Sequence, residues 1–205
     1  HNMQLDVLAI TDHDTVAAID EAQAFQDTQS RDLTIIPGVE LSTSWHGFDI
    51  HVLGLNVNRF DDTFQKRLEE QSQERQRRAK SIAEKLAKCG LGDVYEQAKN
   101  YAGKGQLTRA HFARVMVEKG HVHNFDGAFK KYLGKGKRAH VAPKWITIEE
   151  AIIWIQEAGG KAVLAHPGHY DLSAKWLRKL LVYFKNVGGD GMEVCHPHLA
   201  PDRQR

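Results

Sequence analysis

Four polar segments of this chain carry side chain types that bind metal ions in proteins. They read Thr11-Asp12-His13-Asp14, Gly38-Val39-Glu40, Ile50-His51-Val52-Leu53-Gly54 and Ala165-His166-Pro167-Gly168. Each lies at or near the carboxyl end of an apolar run that predicts a strand, and parallel α/β proteins bind ligands at that end of the sheet. Imidazoles and carboxylates from several strands can surround one or more divalent ions, and a carboxylate can bridge two. Two such ions can activate a water molecule and stabilise the leaving oxygen of a phosphoester.

Each of these residues also has a structural interpretation. A single His at a strand end is more often a hydrogen-bonded structural residue than a ligand. Glu40 could equally cap a turn or pair with Arg31, and Asp14 is interpreted as a helix cap. His51 is harder to explain in this way, because it interrupts an apolar strand, where a polar ring is costly unless hydrogen-bonded. Taken together, three His and one Glu at four strand ends favour a metal site.

Strands that alternate with helices position these segments, which indicates a parallel α/β sheet or barrel. Strands are predicted over residues 5–11, 33–41 with a break at Pro37-Gly38, 50–55, 162–165 and 191–194. The first of them is expected to be buried on both faces. Helices are predicted after the first strand, after a capping box formed by Thr147 and Glu150, and over residues 173–185.

The middle of the chain differs from the rest in pattern. A long helix over residues 61–88 with few apolar anchors (Phe64, Leu68, Ile82 and Leu86), and two more helices over 108–119 and 125–133, predict an all-helical insertion. We therefore expect a discontinuous α/β domain at 1–58 and 141–205, with the helical insertion at 59–140 lying over the site.

The charge of the chain is segregated in the same way. Residues 59–138 hold 19 Lys and Arg against 10 Asp and Glu, a formal balance of +9, and the remainder has a balance of −7. Such segregation is typical of solvated surfaces, or of an acidic part that holds cations beside a basic part that faces a polyanion.

The composition is that of a folded protein of about one to one and a half domains. Apolar residues make up 41% and charged residues 26% of the chain, which excludes a disordered or collagen-like protein. No apolar run approaches the roughly 18 residues of a membrane span, and no signal-peptide pattern opens the chain. Its two cysteines, Cys89 and Cys195, cannot form a disulfide framework, so a cytoplasmic location is expected. Because it begins with His1 and ends in a charged segment, the chain is expected to be a fragment.

The order of the four polar segments resembles the PHP (polymerase and histidinol phosphatase) superfamily. Three stretches, TRAHFAR at 108–114, KYLG at 131–134 and AHPGHY at 165–170, are similar to one branch of it. That branch contains the bacterial 3′,5′-nucleotide bisphosphate phosphatases, also described as the 5′-to-3′ exoribonuclease RNase AM. The resemblance covers essentially the whole chain. It implies a distorted (β/α)7 PHP barrel, incomplete here, with a trinuclear and commonly manganese-containing site that hydrolyses phosphoesters.

Carried over residue by residue, the resemblance implies roles for six residues. His13 would ligate one ion, Glu40 would bridge two, and His51 and His166 would complete the site that these ions share, with Glu40 and His166 acting in catalysis. Arg109 and His111 would hold a substrate phosphate, for which the planar fork of Arg is suited. The other histidines considered, His1, His46, His121, His123 and His140, are interpreted as surface or loop residues, and the roles of His196 and His198 stay open.

The sequence departs from the family at both ends. The N-terminal His-x-His with its following Asp, and the C-terminal Asp-x-His, do not occur in it. The chain by itself is therefore expected to build at most a partial site and to lack full activity.

The leading hypothesis is a metal-dependent phosphoesterase with up to three Mn²⁺ ions in the intact protein. It would act on 3′,5′-bisphosphate nucleotides, on RNA 5′ ends, or on both. One alternative is a phosphomonoesterase of the histidinol-phosphatase type, which the long basic insertion disfavours. Another is a non-catalytic RNA-binding module with structural metal ions. Neither a membrane nor an obligate protein partner is expected.

Overall fold

The structure, a computed structural model, describes residues 5–30 and 32–194. The interpretations given above for His1, Arg31, Cys195, His196 and His198 lie outside these residues. The chain divides into two compact units, one of His1–Glu69 with Trp145–Arg205 and one of Glu70–Lys144. Each unit has its own cluster of buried apolar side chains.

Five strands form one sheet in the described part of the first unit, in the same order as in the chain. They are β1 (Val7–Ile10), β2 (Thr34–Trp45), β3 (Phe48–Leu55), β4 (Lys161–Leu164) and β5 (Gly191–Met192). The β1–β2 and β4–β5 pairs are parallel, whereas β2–β3 and β3–β4 are antiparallel. The sheet is therefore mixed, and the prediction of a parallel sheet is wrong for these two central pairs.

A tight turn explains the antiparallel pairing of β2 with β3. Trp45 and Phe48 face each other across the pair, and His46 and Gly47 between them have φ of 48° and 76°. Two consecutive positive φ angles match the twist of a two-residue hairpin. Gly adopts this conformation readily, whereas His does so rarely, and the sequence pattern therefore gave no hairpin signal here.

Strand β2 continues through Pro37 and Gly38, where the sequence predicted a break. Pro37 aligns with Ile10 in the last pair of the β1–β2 register, and its carbonyl accepts from the backbone N–H of Val57 at 3.2 Å. A Cβ at position 38 would lie 2.8 Å from Thr11 Cγ2. Glycine therefore allows the segment after β1 to approach β2 closely.

Strand β1 is more exposed than predicted. Val7 and Leu8 retain 57% and 39% of their accessible surface, so the expectation of burial on both faces is wrong. Within the described residues β1 pairs with β2 on one side, and no other described strand pairs with its outer edge.

Among the described residues, four α-helices belong wholly or partly to the first unit: α1 (Ala18–Gln26), the beginning of α2 (Asp62–Lys88), α6 (Ile148–Glu157) and α7 (Ala174–Asn186). The predicted capping box of α6 is confirmed, with Thr147 N donating to Glu150 Oε2 at 2.7 Å and Glu150 N donating to Thr147 Oγ1 at 3.2 Å. Ile152 and Ile155 of α6 join the apolar core that covers the sheet.

The second unit is helical in its described secondary structure. It contains the rest of α2, then α3 (Tyr95–Ala102), α4 (Arg109–Glu118), α5 (Phe125–Ala128) and a π-helical turn at Phe129–Leu133. Helix α3 lies where the sequence predicted none. The four predicted anchors of α2 are all buried, two in each core, as follows: Phe64 and Leu68 in the first, Ile82 and Leu86 in the second. Among the described residues, no helix has the length and apolarity needed to cross a bilayer.

Candidate metal centre

The register of the sheet brings Glu40 and His51 to one face. Glu40 pairs with Leu53 and Ser42 pairs with His51 across the antiparallel β2–β3 ladder, and diagonal neighbours two positions apart share a face. Both residues therefore lie inside strands and not at their carboxyl ends, which corrects the sequence prediction. The hairpin is the cause, because it makes β2 longer and reverses β3.

His13 reaches Glu40 through backbone pairing. His13 and Glu40 form an isolated parallel bridge, in which Glu40 N donates to Asp12 O and Asp14 N donates to Glu40 O, both at 3.0 Å. Asp14 is 1% exposed, and its Oδ1 accepts from Ser42 N at 2.8 Å. The interpretation of Asp14 as a helix cap is therefore wrong: it satisfies a buried N–H of β2 and fixes the segment that carries His13.

The two oxygens of the Glu40 carboxylate face different histidines. Oε1 lies 3.0 Å from His51 Nδ1 and 3.0 Å from His166 Nε2, whereas Oε2 lies 3.5 Å from His13 Nδ1. The ligand atoms of His13, Glu40 and His51 all lie within 4.8 Å of one another. The structure thus brings together all four residues that the sequence predicted as metal ligands.

His166 comes from the turn after β4. Ala165 N donates to His51 O at 3.1 Å, which extends the β3–β4 pairing to the edge of this turn. His166 then takes the left-handed conformation, with φ 31° and ψ 52°, immediately before Pro167. A non-glycine residue in this region costs about 1–3 kcal/mol unless its surroundings hold it there. The strain indicates that the position of the His166 ring is imposed by its neighbours.

Two side chains that the sequence analysis did not single out hold the backbone of these histidines. Glu193 Oε2 accepts from His166 N at 2.6 Å, and Tyr170 Oη accepts from His51 N at 2.8 Å. Burial raises the pKa of Tyr170, so its hydroxyl stays protonated. Residues of this kind orient metal ligands from behind. Tyr170 belongs to the AHPGHY stretch and Glu193 to the last predicted strand, but neither position carries a sequence signal for this role.

The electrostatics of the cluster keep Glu40 ionised. Burial acts to raise the pKa of this carboxyl, but hydrogen bonds to His166 and His51 and the charge of His13 outweigh it and lower the pKa well below its usual range. For His166, burial acts to lower the pKa, and the hydrogen bond to Glu40 outweighs it and raises the pKa. An anionic carboxylate beside imidazoles is a donor set that binds a divalent cation once the imidazoles have lost their extra protons.

The donor set fits a divalent cation. His51 Nδ1, His166 Nε2 and Glu40 Oε1 are mutually 3.0–3.1 Å apart. A proton on His51 Nδ1 and another on His166 Nε2 can each form a hydrogen bond to Glu40 Oε1. The two N–H groups then face each other at the contact between the two rings, which is repulsive. Ligand atoms bound about 2.1 Å from one ion at right angles, as in octahedral coordination, are about 3 Å apart, which is the spacing seen here. Imidazole and carboxylate donors suit Mn, Zn or Fe.

Arg109 and His111 lie in the second unit, on the first turn of α4. The guanidinium carbon of Arg109 is 5.7 Å from the centroid of the Phe129 ring. Thr108 N donates to His111 Nδ1 at 3.0 Å, so the ring proton lies on Nε2, which can donate to an anion. Burial, with a smaller effect of the charge on Arg114, lowers the pKa of His111. Phosphate binding by Arg109 and His111 stays a prediction.

The chain is similar to curated bacterial proteins over nearly its whole length. It is 46% identical over 202 residues to the 5′-3′ exoribonuclease Rnm of Salmonella typhimurium, a match that covers 98% of this chain and 69% of that protein. It is 34% identical over 190 residues to the 3′,5′-nucleoside bisphosphate phosphatase of Chromobacterium violaceum, covering 92% of this chain and 66% of that protein. No protein-family model matches the sequence.

A solved structure shares the fold. It is that of an amidohydrolase from Chromobacterium violaceum, with bound sulfate and no metal, which matches with a TM-score of 0.89 at 32% identity. The match covers 97% of this chain and 70% of that one. The arrangement of strands and helices described above is therefore also that of an experimentally determined protein.

Proposed function

This chain belongs to the branch of the PHP superfamily that contains the 5′-3′ exoribonuclease Rnm and the 3′,5′-nucleoside bisphosphate phosphatase, and on that premise we propose that it hydrolyses 3′,5′-bisphosphate nucleotides and removes nucleotides from RNA 5′ ends. Its fold is the predicted α/β class, a distorted PHP barrel with an all-helical insertion. The family is one of phosphoester hydrolases, which confirms the predicted enzyme class.

The placement of the Glu40 carboxylate carries the proposal. Its Oε2 is directed to His13 and its Oε1 to His51 and His166, which suits a carboxylate that bridges two cations. We propose His13, Glu40, His51 and His166 as metal ligands and Mn²⁺ as the metal, with up to three ions in the intact protein. A divalent cation bound there supplies positive charge to a phosphoester and activates water.

The residues of the chain have separable roles in this proposal. Glu40 stays anionic and, with His166, lies at the centre of the reaction site. Arg109 binds a substrate phosphate through its planar fork, and His111 donates from Nε2. The basic balance of residues 59–138, +9, attracts anionic substrates by long-range electrostatics. We also propose that residues 59–140 act as a helical insertion and that the protein works in the cytoplasm, which its two cysteines support.

Hydrolysis assays on the purified intact protein, which includes the segments that this chain lacks relative to the family, test the proposal. The wild type should release phosphate from adenosine 3′,5′-bisphosphate and nucleotides from 5′-phosphorylated RNA with Mn²⁺, and neither with EDTA. Glu40→Gln should lose more than about a hundredfold in kcat/KM, since loss of an outer partner of a metal ligand alone costs about 10–100-fold. Glu157→Gln is the matched control, because Glu157 is an exposed carboxylate that pairs with Arg67. Full activity of Glu40→Gln with unchanged metal content would contradict the site.

The same assay separates the two alternatives. Faster turnover of histidinol phosphate than of either nucleotide substrate would identify a small-molecule phosphomonoesterase. RNA binding with a steep salt dependence, but without phosphate release at any metal concentration, would identify a non-catalytic RNA-binding module.

A further inference from the structure

A cleft in the second unit lies on residues that the metal centre does not use. Its volume is about 500 Å³, within the range of sites that hold small ligands. The turn after α4 supplies His121 and His123, and the segment that begins with α5 supplies Lys130 and Lys131. Two His and two Lys are among the described residues that line the cleft, and no Asp or Glu is.

Nearby carboxylates neutralise this charge only in part. Asp93 lies 3.5 Å from His121, and Asp126 pairs with Lys130 at 2.6 Å. Side chains of the Lys130–Asp126 pair are 76% and 67% exposed, and an exposed pair of this kind is worth only about 0–1 kcal/mol. A phosphate can therefore displace Asp126 from Lys130 at little cost. Lys131 has its ammonium 5.1 Å from the Tyr132 ring and lies at the protein surface.

An exposed aromatic residue directly follows Asn124, which lines the cleft. This residue, Phe125, is 47% exposed, and a surface aromatic ring is a platform on which a nucleic acid base can stack. The backbone at the start of α5 is held by a cap, because Asn124 Oδ1 accepts from Gly127 N at 2.8 Å.

The π-helical turn connects the cleft to Arg109. Phe129, the first residue of this turn, lies beneath the guanidinium of Arg109, and Lys130 and Lys131 follow it directly. Single π-helical turns are rare and occur frequently at functional sites. One short segment thus supports the predicted phosphate ligand and supplies two cations of the cleft.

We propose that the cleft binds the phosphate backbone of single-stranded RNA, with Phe125 stacking on a base. This inference rests on the proposed function, because it assigns the cleft to nucleotides of the RNA that follow the one held by Arg109 and His111. A bisphosphate mononucleotide held there has no further phosphate for the cleft, whereas an RNA has one for each additional nucleotide. The cleft therefore selects for RNA over the mononucleotide.

Steady-state kinetics on the Mn²⁺-loaded intact protein test this assignment. For Lys130→Gln/Lys131→Gln, the KM for a ten-nucleotide 5′-phosphorylated RNA should rise about tenfold, while kcat and the KM for adenosine 3′,5′-bisphosphate stay unchanged. The slope of log(kcat/KM) for RNA against log salt should fall by about 1.4, since each lost contact to a single strand removes about 0.7. Phe125→Ala should raise the KM for RNA about tenfold at constant charge and leave this slope unchanged.

Lys80→Gln/Lys99→Gln is the matched control, because it removes the same charge from exposed positions of the same unit. An equal rise in the KM for RNA in both double variants would mean general attraction and overturn the assignment. An equal rise in the KM of the cleft variants for adenosine 3′,5′-bisphosphate would also overturn it. Circular dichroism melts verify that each variant is folded. If the wild type hydrolyses neither substrate, the proposed function fails, but the fluorescence anisotropy of labelled RNA still tests the cleft. A loss of RNA affinity in Lys130→Gln/Lys131→Gln and Phe125→Ala, but not in the control, supports the assignment. An RNA affinity that is unchanged in these variants refutes it.

Discussion

The two units of this protein organise their polar side chains in different ways. In the first, four chemically active side chains converge from distant parts of the chain, and the Glu40 carboxylate contacts three imidazoles within 3.5 Å. In the second, cations are distributed over helix surfaces, and the buried polar groups hold structure together. Arg78 Nε, for example, donates to Val141 O at 3.0 Å, and Lys144 N donates to Glu74 Oε1 at 3.3 Å.

This difference predicts which positions of the protein should be sensitive to mutation. The geometry of the first unit depends on sheet register and on backbone N–H groups held by Asp14, Tyr170 and Glu193. A change there should disturb several ligands at once. The second unit should show smaller effects that add, because its cations act mostly through separate surface contacts.

The largest effect is expected from His51→Asn, which removes an imidazole at the contact of three ligand atoms. Its kcat/KM for adenosine 3′,5′-bisphosphate should fall more than about a hundredfold, with a loss of bound metal by elemental analysis. His46→Asn is the control on the same hairpin, because His46 is exposed and Asn tolerates its positive φ. Comparable activity of the two variants would remove the distinction between site and surface in this unit.

A smaller effect is expected from Glu193→Ala, since Glu193 acts through the backbone of His166. The affinity for Mn²⁺, measured by calorimetry without substrate, should fall about 10–100-fold. Glu193→Gln keeps a side-chain oxygen that can accept from His166 N and should recover most of this affinity. Equal losses in both variants would show that the charge of Glu193, and not its hydrogen bond, is what matters.

The smallest effect is expected in the second unit, from protonation of His111. Burial lowers the pKa of His111 below its ordinary value of 6.5, so the unfolded chain binds this proton more strongly than the folded protein. The contribution of His111 to stability should therefore fall as the pH is lowered through 6.5, and should stop falling below the folded-state pKa of His111. The loss of stability should not exceed about 1 kcal/mol, which is the usual cost of losing a helix N-cap such as the one that His111 forms with Thr108.

Thermal melts between pH 7.5 and 5.5 measure the contribution of His111 protonation to stability. A loss of about 1 kcal/mol lowers the melting temperature by about 2–4 °C for a chain of this size. His111→Gln should remove the contribution of His111 from the pH dependence, because Gln serves the same position of a capping box without titrating. His123→Gln, at an exposed position, is the control and should leave the profile unchanged. If His111→Gln shows the same pH dependence of stability as the wild type, this dependence comes from another group.

Local sequence signals predicted the parts of this fold that depend on neighbouring residues. The capping box of Thr147 and Glu150 predicted the start of α6, and Ser173 accepts from Trp176 N at the start of α7 as the predicted helix requires. The convergence of His13, Glu40, His51 and His166 was also predicted, because three His and one Glu lay at or near the ends of four predicted strands and their order resembled the PHP superfamily.

Features that depend on distant residues were beyond such reasoning. The hairpin needs His46 at a positive φ, which is uncommon for this residue type. Asp is a residue type that often caps helices, but the carboxylate of Asp14 accepts from the backbone N–H of Ser42 in β2. Tyr170 and Glu193 find the backbones of His51 and His166 at separations of 119 and 27 residues. None of these contacts leaves a periodic pattern, because each is made once, by tertiary folding.

Anomalous diffraction from crystals grown with Mn²⁺ tests most directly that His13, Glu40, His51 and His166 meet around cations. We expect an anomalous peak on each side of the Glu40 carboxylate, one bound by His13 and one by His51 and His166, at ligand distances of about 2 Å. Peaks confined to other positions, with these four side chains hydrogen-bonded to one another and without metal, would contradict the account.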